Sequence, residues 1–200
     1  MQHYKQTTSA TCAAAGLLMI LNHFDKTFKL TKENEQRIWM STATIPIRGS
    51  SIYALAKFAK KQDIPVRVVV GQQEYKFPNY RFKSYKKSEI EEAAYTSELY
   101  YKDAVLEGIP IDEREMRFEE IEKLLNEGKI LLLRINRAVI CEDTNKTESN
   151  YMPVYGIKNG KYLLMDPHTG PKELDPEVMR EAFETVRTKS HRDYRMIIFG

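Results

Sequence analysis

The segment QTTSATCAAAGLLMIL, residues 6–21, limits what this 200-residue chain can fold into more than any other stretch. Its apolar run opens at Cys12 and reads as a helix to Phe24, with Leu17, Leu18, Ile20 and Leu21 on the face that must be buried. A core-forming helix of this kind carries a cysteine at its first turn. There the helix dipole and the free N–H groups favour a thiolate. Gln6 stands six residues upstream and offers an amide donor. Its side-chain N–H and the backbone N–H of Cys12 could converge on one carbonyl oxygen, a layout for acyl transfer through cysteine. The plainer reading is that Cys12 is a small hydrophobe packed among alanines.

A second informative stretch is NYMPVYGIKNGKYLLMDPHTG, residues 150–170. It reads as two strands joined by an Asn159-Gly160 turn and closed by Asp166-Pro167. With Gln6 and Cys12, this hairpin resembles the papain-like cysteine enzymes. Within them it is most similar to the bacteriocin-processing (double-glycine leader) peptidases and their cytoplasmic relatives. The resemblance implies an α+β fold in which a central N-terminal helix packs against an antiparallel sheet, with residues 1–200 as one papain-like domain. It also implies a glutamine in the oxyanion hole, a histidine at the start of the first strand and an aspartate at the end of the second. Here Asp166 fills the aspartate position, but Asn150 stands where the histidine belongs, and Ala13 replaces the glycine common after the nucleophile.

The remaining sequence supports an α+β order. Thr31 caps a short helix containing Glu35, Ile38 and Trp39, and IPIRGSS is a turn. Ser50 or Ser51 opens a third helix through IYALAKFAKKQ, followed by the strand VRVVV. Ser88 to Gly108 is helical with a break near Thr96, and FEEIEKLLNEG is a helix capped by Gly128. KILLLRI is too apolar for a half-exposed strand and is expected at the centre of a sheet. Pro176 begins a last helix, and MIIF is the final strand. The middle of the chain is read as helices and one strand around a two-lobed cleft.

The start MQHYKQTTSA has neither the basic segment nor the apolar run of a signal peptide, and no stretch approaches about 18 apolar residues. A soluble, cytoplasmic protein without a membrane partner is expected. Two cysteines, Cys12 and Cys141, cannot build a disulfide framework, and neither lies in a zinc-binding pattern. No metal or organic cofactor is expected, and Cys141 is read as packing. The net charge of +3 hides a basic, aromatic segment, YKFPNYRFKSYKK from Tyr75 to Lys87. The glutamate-rich helix that follows favours a solvated surface over a nucleic-acid groove. Nothing in the sequence decides the oligomeric state.

Asn150 cannot accept a proton at neutral pH, so the base must lie elsewhere or be dispensable. His168, two residues beyond Asp166, is the first candidate and His3 the second. Asp166 itself is a third, if burial raises its pKa. Amide hydrolysis needs a proton for a poor leaving group, whereas a thioester's thiolate departs unaided. The missing histidine therefore favours amide formation from a thioester donor to an amine. In general design the chain resembles the papain-like enzymes that join amides in nonribosomal, carrier-protein-based assembly, including closthioamide biosynthesis. That resemblance implies an acyl or peptidyl substrate presented by an acidic carrier, which the Tyr75 to Lys87 segment could steer. A cysteine peptidase or amidase, and an inactive module that binds a peptide or acyl chain, are the alternatives.

Overall fold

The computed structural model describes residues 1–72, 85–141, 149–189 and 192–200. Residues 1–11 run without helix or strand into α1 (Cys12–Phe24), followed by α2 (Lys32–Thr42), α3 (Ile52–Lys60) and β1 (Val66–Val70). Then come α4 (Lys87–Leu106), β2 (Ile111–Glu113), α5 (Phe118–Asn126), β3 (Ile130–Asn136) and α6 (Arg137–Ile140). The chain ends with β4 (Ser149–Lys158), β5 (Lys161–Asp166), β6 (Gly170–Leu174), α7 (Pro176–Thr188) and β7 (Arg195–Phe199).

The described strands form one sheet in the order β2, β1, β7, β3, β4, β5, β6. Every pairing is antiparallel except β1 with β2. Strand β3 lies between β7 and β4 and is buried throughout, which is why its sequence shows no polar face. Leu132 packs into the cluster formed with α1 to α4 on one side of the sheet. Leu131, Leu133 and Ile135 pack with α5 and α7 on the other. The fold is thus papain-like α+β, with α1 laid centrally on the sheet.

Helix α1 is seated closely because Gly16 has no side chain. A Cβ there would stand 3.0 Å from a methyl of Leu132 and 3.3 Å from Pro153, so a larger residue would require those side chains to give. The β4–β5 hairpin turns at Asn159 and Gly160, both with positive φ (52° and 77°), the conformation a two-residue hairpin turn requires. The turn brings the start of β4 and the end of β5 to the same edge of the sheet as the first turn of α1.

Several sequence expectations need correction. Helix α4 runs unbroken through Thr96, whose hydroxyl donates to the Glu92 carbonyl and so stays inside the helix. The middle of the chain holds β2 as well as β1, three residues being too few to show alternation. Strand β6, to which the sequence reading assigns no element, begins Gly-Pro and lies at the edge of the sheet, where proline is tolerated. Residues 75–84 of the basic, aromatic segment lie outside the described residues, as does His191. No described helix is long and apolar enough to cross a membrane.

Candidate active site

The segment before α1 is fastened at both ends of the cleft. Glu35 of α2, fully buried, accepts from the Tyr4 hydroxyl (3.0 Å), the Thr7 N–H (2.9 Å) and the Thr7 hydroxyl (2.6 Å). Burial and Glu35 together push the Tyr4 phenol up to about 12, so it remains a donor. The Gln6 N–H donates to the Pro167 carbonyl at 2.8 Å, just beyond β5. Gln6 therefore bridges the helical layer and the hairpin. One amide hydrogen of its side chain is engaged by the Thr8 carbonyl at 2.9 Å, leaving the second for another acceptor.

Cys12 opens α1 with its sulfur on the β4 side. The sulfur accepts from the backbone N–H of Tyr151 and lies within reach of those of Ala13 and Cys12. Because Tyr151 is peptide-bonded to Asn150, this bond sets the sulfur against the start of β4. The electrostatics differ from those expected of a helix start. Burial pushes the Cys12 thiol up, the three N–H groups pull it down, and the negative charge of Asp166 pushes it up again. The net shift is upward. The half-buried Cys12 is thus held above the ordinary thiol range, against the pull toward a thiolate that a helix start exerts.

Asp166 is 1% exposed at the end of β5. Burial alone would raise its carboxyl, but the Thr169 hydroxyl (2.7 Å), the His168 N–H (2.8 Å) and Arg137 Nε (3.1 Å) outweigh burial and hold it below its usual range. A raised Asp166 acting as base is therefore overturned. The carboxylate is anionic and occupied by its own turn and by the guanidinium.

Asn150 lines an outer cleft of about 660 Å³ with Gln6, Arg137, Ser149 and His168. Its amide makes no hydrogen bond to another described residue, so its donor and acceptor are both available. His168 is exposed; its backbone, not its ring, contacts Asp166. His3 lies beside Gly170 with Nε2 buried and unpartnered, at the hairpin rather than on the cysteine. Cys141 is half-buried at the end of α6. Among the described residues no three His, Cys, Asp or Glu side chains gather as metal ligands.

Sequence reasoning missed the arginines. Arg134 sits opposite Tyr151 in the β3–β4 register, bonds Asp193 (3.0 Å) and donates to the Tyr151 hydroxyl (2.9 Å). Arg195 shares Asp193 at 2.7 Å. The available signal was a single charged residue inside the apolar KILLLRI, which cannot be buried unpaired. Arg137 gave a similar signal, immediately after the central strand.

The model of the Peptidase_C39 like family matches residues 1–194. The chain belongs to this family. Its fold is similar to that of a double glycine motif protease from an AMS/PCAT transporter, crystallised in complex with the leader peptide. The two are 13% identical, the match covers 99% of this chain and 90% of that one, and the TM-score is 0.51. None of the curated protein sequences matches the chain. In this chain an amide, Asn150, stands at the start of β4, and a guanidinium, Arg137, sits on the carboxylate of Asp166.

Proposed function

We propose that Cys12 takes an acyl group from a thioester donor and passes it to an amine, forming an amide. The observation that carries this reading is the pairing of Asp166 with Arg137 beside an uncommitted Asn150. No described histidine ring bonds that carboxylate, so there is no relay to protonate an amine leaving group. The exchange does not need one. In the first step the Cys12 sulfur bonds the acyl carbon, the donor's carbon–sulfur bond breaks, and the thiol proton leaves on the donor thiol. In the second, the amine nitrogen bonds the acyl carbon, the bond to Cys12 breaks, and the amine's proton returns to the cysteine. A thiol held above its ordinary pKa suits that return.

Gln6 and the Cys12 N–H would receive the carbonyl oxygen in both steps, and removing one such donor costs about 3 kcal/mol. Asn150 would hold the amine, accepting from it through the amide oxygen. A donor thioester on an acidic phosphopantetheine carrier would be steered by the basic, aromatic segment Tyr75 to Lys87. The second reading, a cysteine peptidase, is favoured by family membership and by the leader peptide bound to the structural neighbour. It would use His168, which lines the same outer cleft as Asn150.

Product partition separates the two. With an acyl thioester and a primary amine, the wild type is expected to give amide in excess over free acid. Asn150→His should shift products toward acid by setting an imidazole near Cys12 and Asp166. His168→Ala should leave aminolysis within about twofold, whereas loss of a general base costs about 100-fold or more. Peptide cleavage abolished by His168→Ala, with no amide formed from thioesters, would replace this reading with the peptidase.

A further inference from the structure

On the inner side of Cys12, away from Gln6, lies a second hollow of about 140 Å³. Its wall includes Cys12, Ser51, Arg134, Tyr151, Arg192 and Arg195. Two of the arginines are deeply buried, Arg134 at 5% exposure and Arg195 at 2%. Both are oriented by Asp193, and Arg195 also donates to the Gln72 carbonyl at 2.9 Å. Arg134 also donates to the Tyr151 hydroxyl at 2.9 Å, so both guanidinium groups are held in place and bring their positive charge to the wall of the hollow, where it attracts an oxyanion.

Ser51 supplies the independent observation. It precedes α3 in the position where a serine hydroxyl ordinarily caps the helix, yet its side chain makes no capping bond. It is 5% exposed, and its Oγ has no hydrogen-bond partner. A buried hydroxyl left unsatisfied costs stability, and such groups mark places where a ligand completes the site. This one lines the same hollow as the three arginines and the cysteine.

We infer that this hollow is a subsite for a carboxylate carried by the reactant at Cys12, held by the guanidinium wall and the Ser51 hydroxyl. Size decides the source of the oxyanion. A cavity near 150 Å³ takes a benzene-sized group, about half a dozen non-hydrogen atoms. With Cys12 in its wall, the carboxylate lies within a few bonds of the reacting carbon. The phosphate of a pantetheine arm stands too far from its thioester to reach it. The carboxylate belongs either to the acyl group or to the amine acceptor. The inference rests on Cys12 as the nucleophile, and extends that reading to the charge of the substrate.

Paired alkylating reagents test it without acyl transfer. Iodoacetate and iodoacetamide differ in charge at the group beside the reacting carbon, and their rate ratio at one pH cancels the thiolate fraction. Modification is measured at Cys12 by peptide mapping, which separates it from Cys141. The ratio of iodoacetate to iodoacetamide rates should exceed that of N-acetylcysteine by about tenfold at low salt and fall as salt rises. Arg192→Ala, at a half-buried position, and Ser51→Ala should each reduce it severalfold while the protein stays folded by circular dichroism. A ratio equal to that of the free thiol, or one unchanged in both variants, overturns the subsite and leaves the nucleophile intact. A Cys12 inert to both reagents overturns the nucleophile and the subsite with it. If the subsite stands, acylation by succinyl and butyryl thioesters locates the carboxylate. Faster succinyl loading assigns it to the acyl group; equal loading with faster discharge to β-alanine than to propylamine assigns it to the acceptor. Indifference at both stages would contradict a substrate subsite.

Discussion

Two opposing fields meet at the Cys12 sulfur. Desolvation and the Asp166 carboxylate raise its pKa; the N–H groups of Tyr151, Ala13 and Cys12 lower it, and the first pair wins. The rate of Cys12 alkylation by iodoacetamide should therefore keep rising with pH through the ordinary thiol range instead of levelling near neutrality. Asp166→Asn removes one raising influence and should move that profile to lower pH. The same substitution bears on stability. Asp166 is depressed in the folded state, so between its folded and unfolded pKa values the unfolded chain binds more protons. The stabilisation is complete above the unfolded value, about pH 4, and is lost as pH falls through the folded one. Asp166→Asn should cost about 3 kcal/mol in urea melts at pH 7, because it removes the buried carboxylate from its ion pair with Arg137, and much less in acid. A neutral-pH plateau in alkylation, or equal stabilities at pH 7, would contradict these assignments.

At the scale of elements, the site depends on how closely α1 lies on β3 and β4 and on how the preceding segment is tied to α2. Gly16 permits the first, and Glu35 provides the second. Glu35→Gln keeps the size but replaces one acceptor oxygen with an NH2 donor, which then faces the Tyr4 and Thr7 donors. Gln6 should then lose its position, slowing acylation by about tenfold to a hundredfold. Cys12 alkylation should change less than twofold, since Glu35 touches no donor on the sulfur. Equal losses in both rates would mean that Glu35 acts on the whole domain and not on Gln6. The elements themselves were largely legible: the apolar run from Cys12, the Asn159-Gly160 turn and the uninterrupted KILLLRI each have one physical solution. Strand β2 and helix α6 were not, because three or four residues are too short to carry a period. Glu35 looked like an ordinary polar residue on a helix, since its partners Tyr4 and Thr7 are distant in sequence.

For the whole molecule, the cleft lies where the helical layer and the sheet meet, with Cys12 from one and Tyr151 from the other. One hollow, with Cys12 in its wall, presents the arginines; a separate one, which shares Ser149 with it, presents Gln6, Asn150 and His168. The place of Cys12 at a helix start, of Gln6 in the segment before it and of Asp166 at the end of the hairpin could be read from the sequence because each sits in a local pattern. The arginine wall could not, since Arg134 on β3 and Arg195 on the neighbouring β7 are far apart in sequence and gain their meaning only when Asp193 joins them. The sign of the Cys12 shift was also hidden, because burial is a property of the assembled fold. The central claim is a covalent acyl group on Cys12, and intact-protein mass spectrometry after incubation with an acyl thioester tests it most directly. The account predicts a mass increase equal to one acyl group, absent in Cys12→Ala and discharged when a primary amine is added. An unmodified wild-type mass, or an adduct that persists in Cys12→Ala, would contradict it.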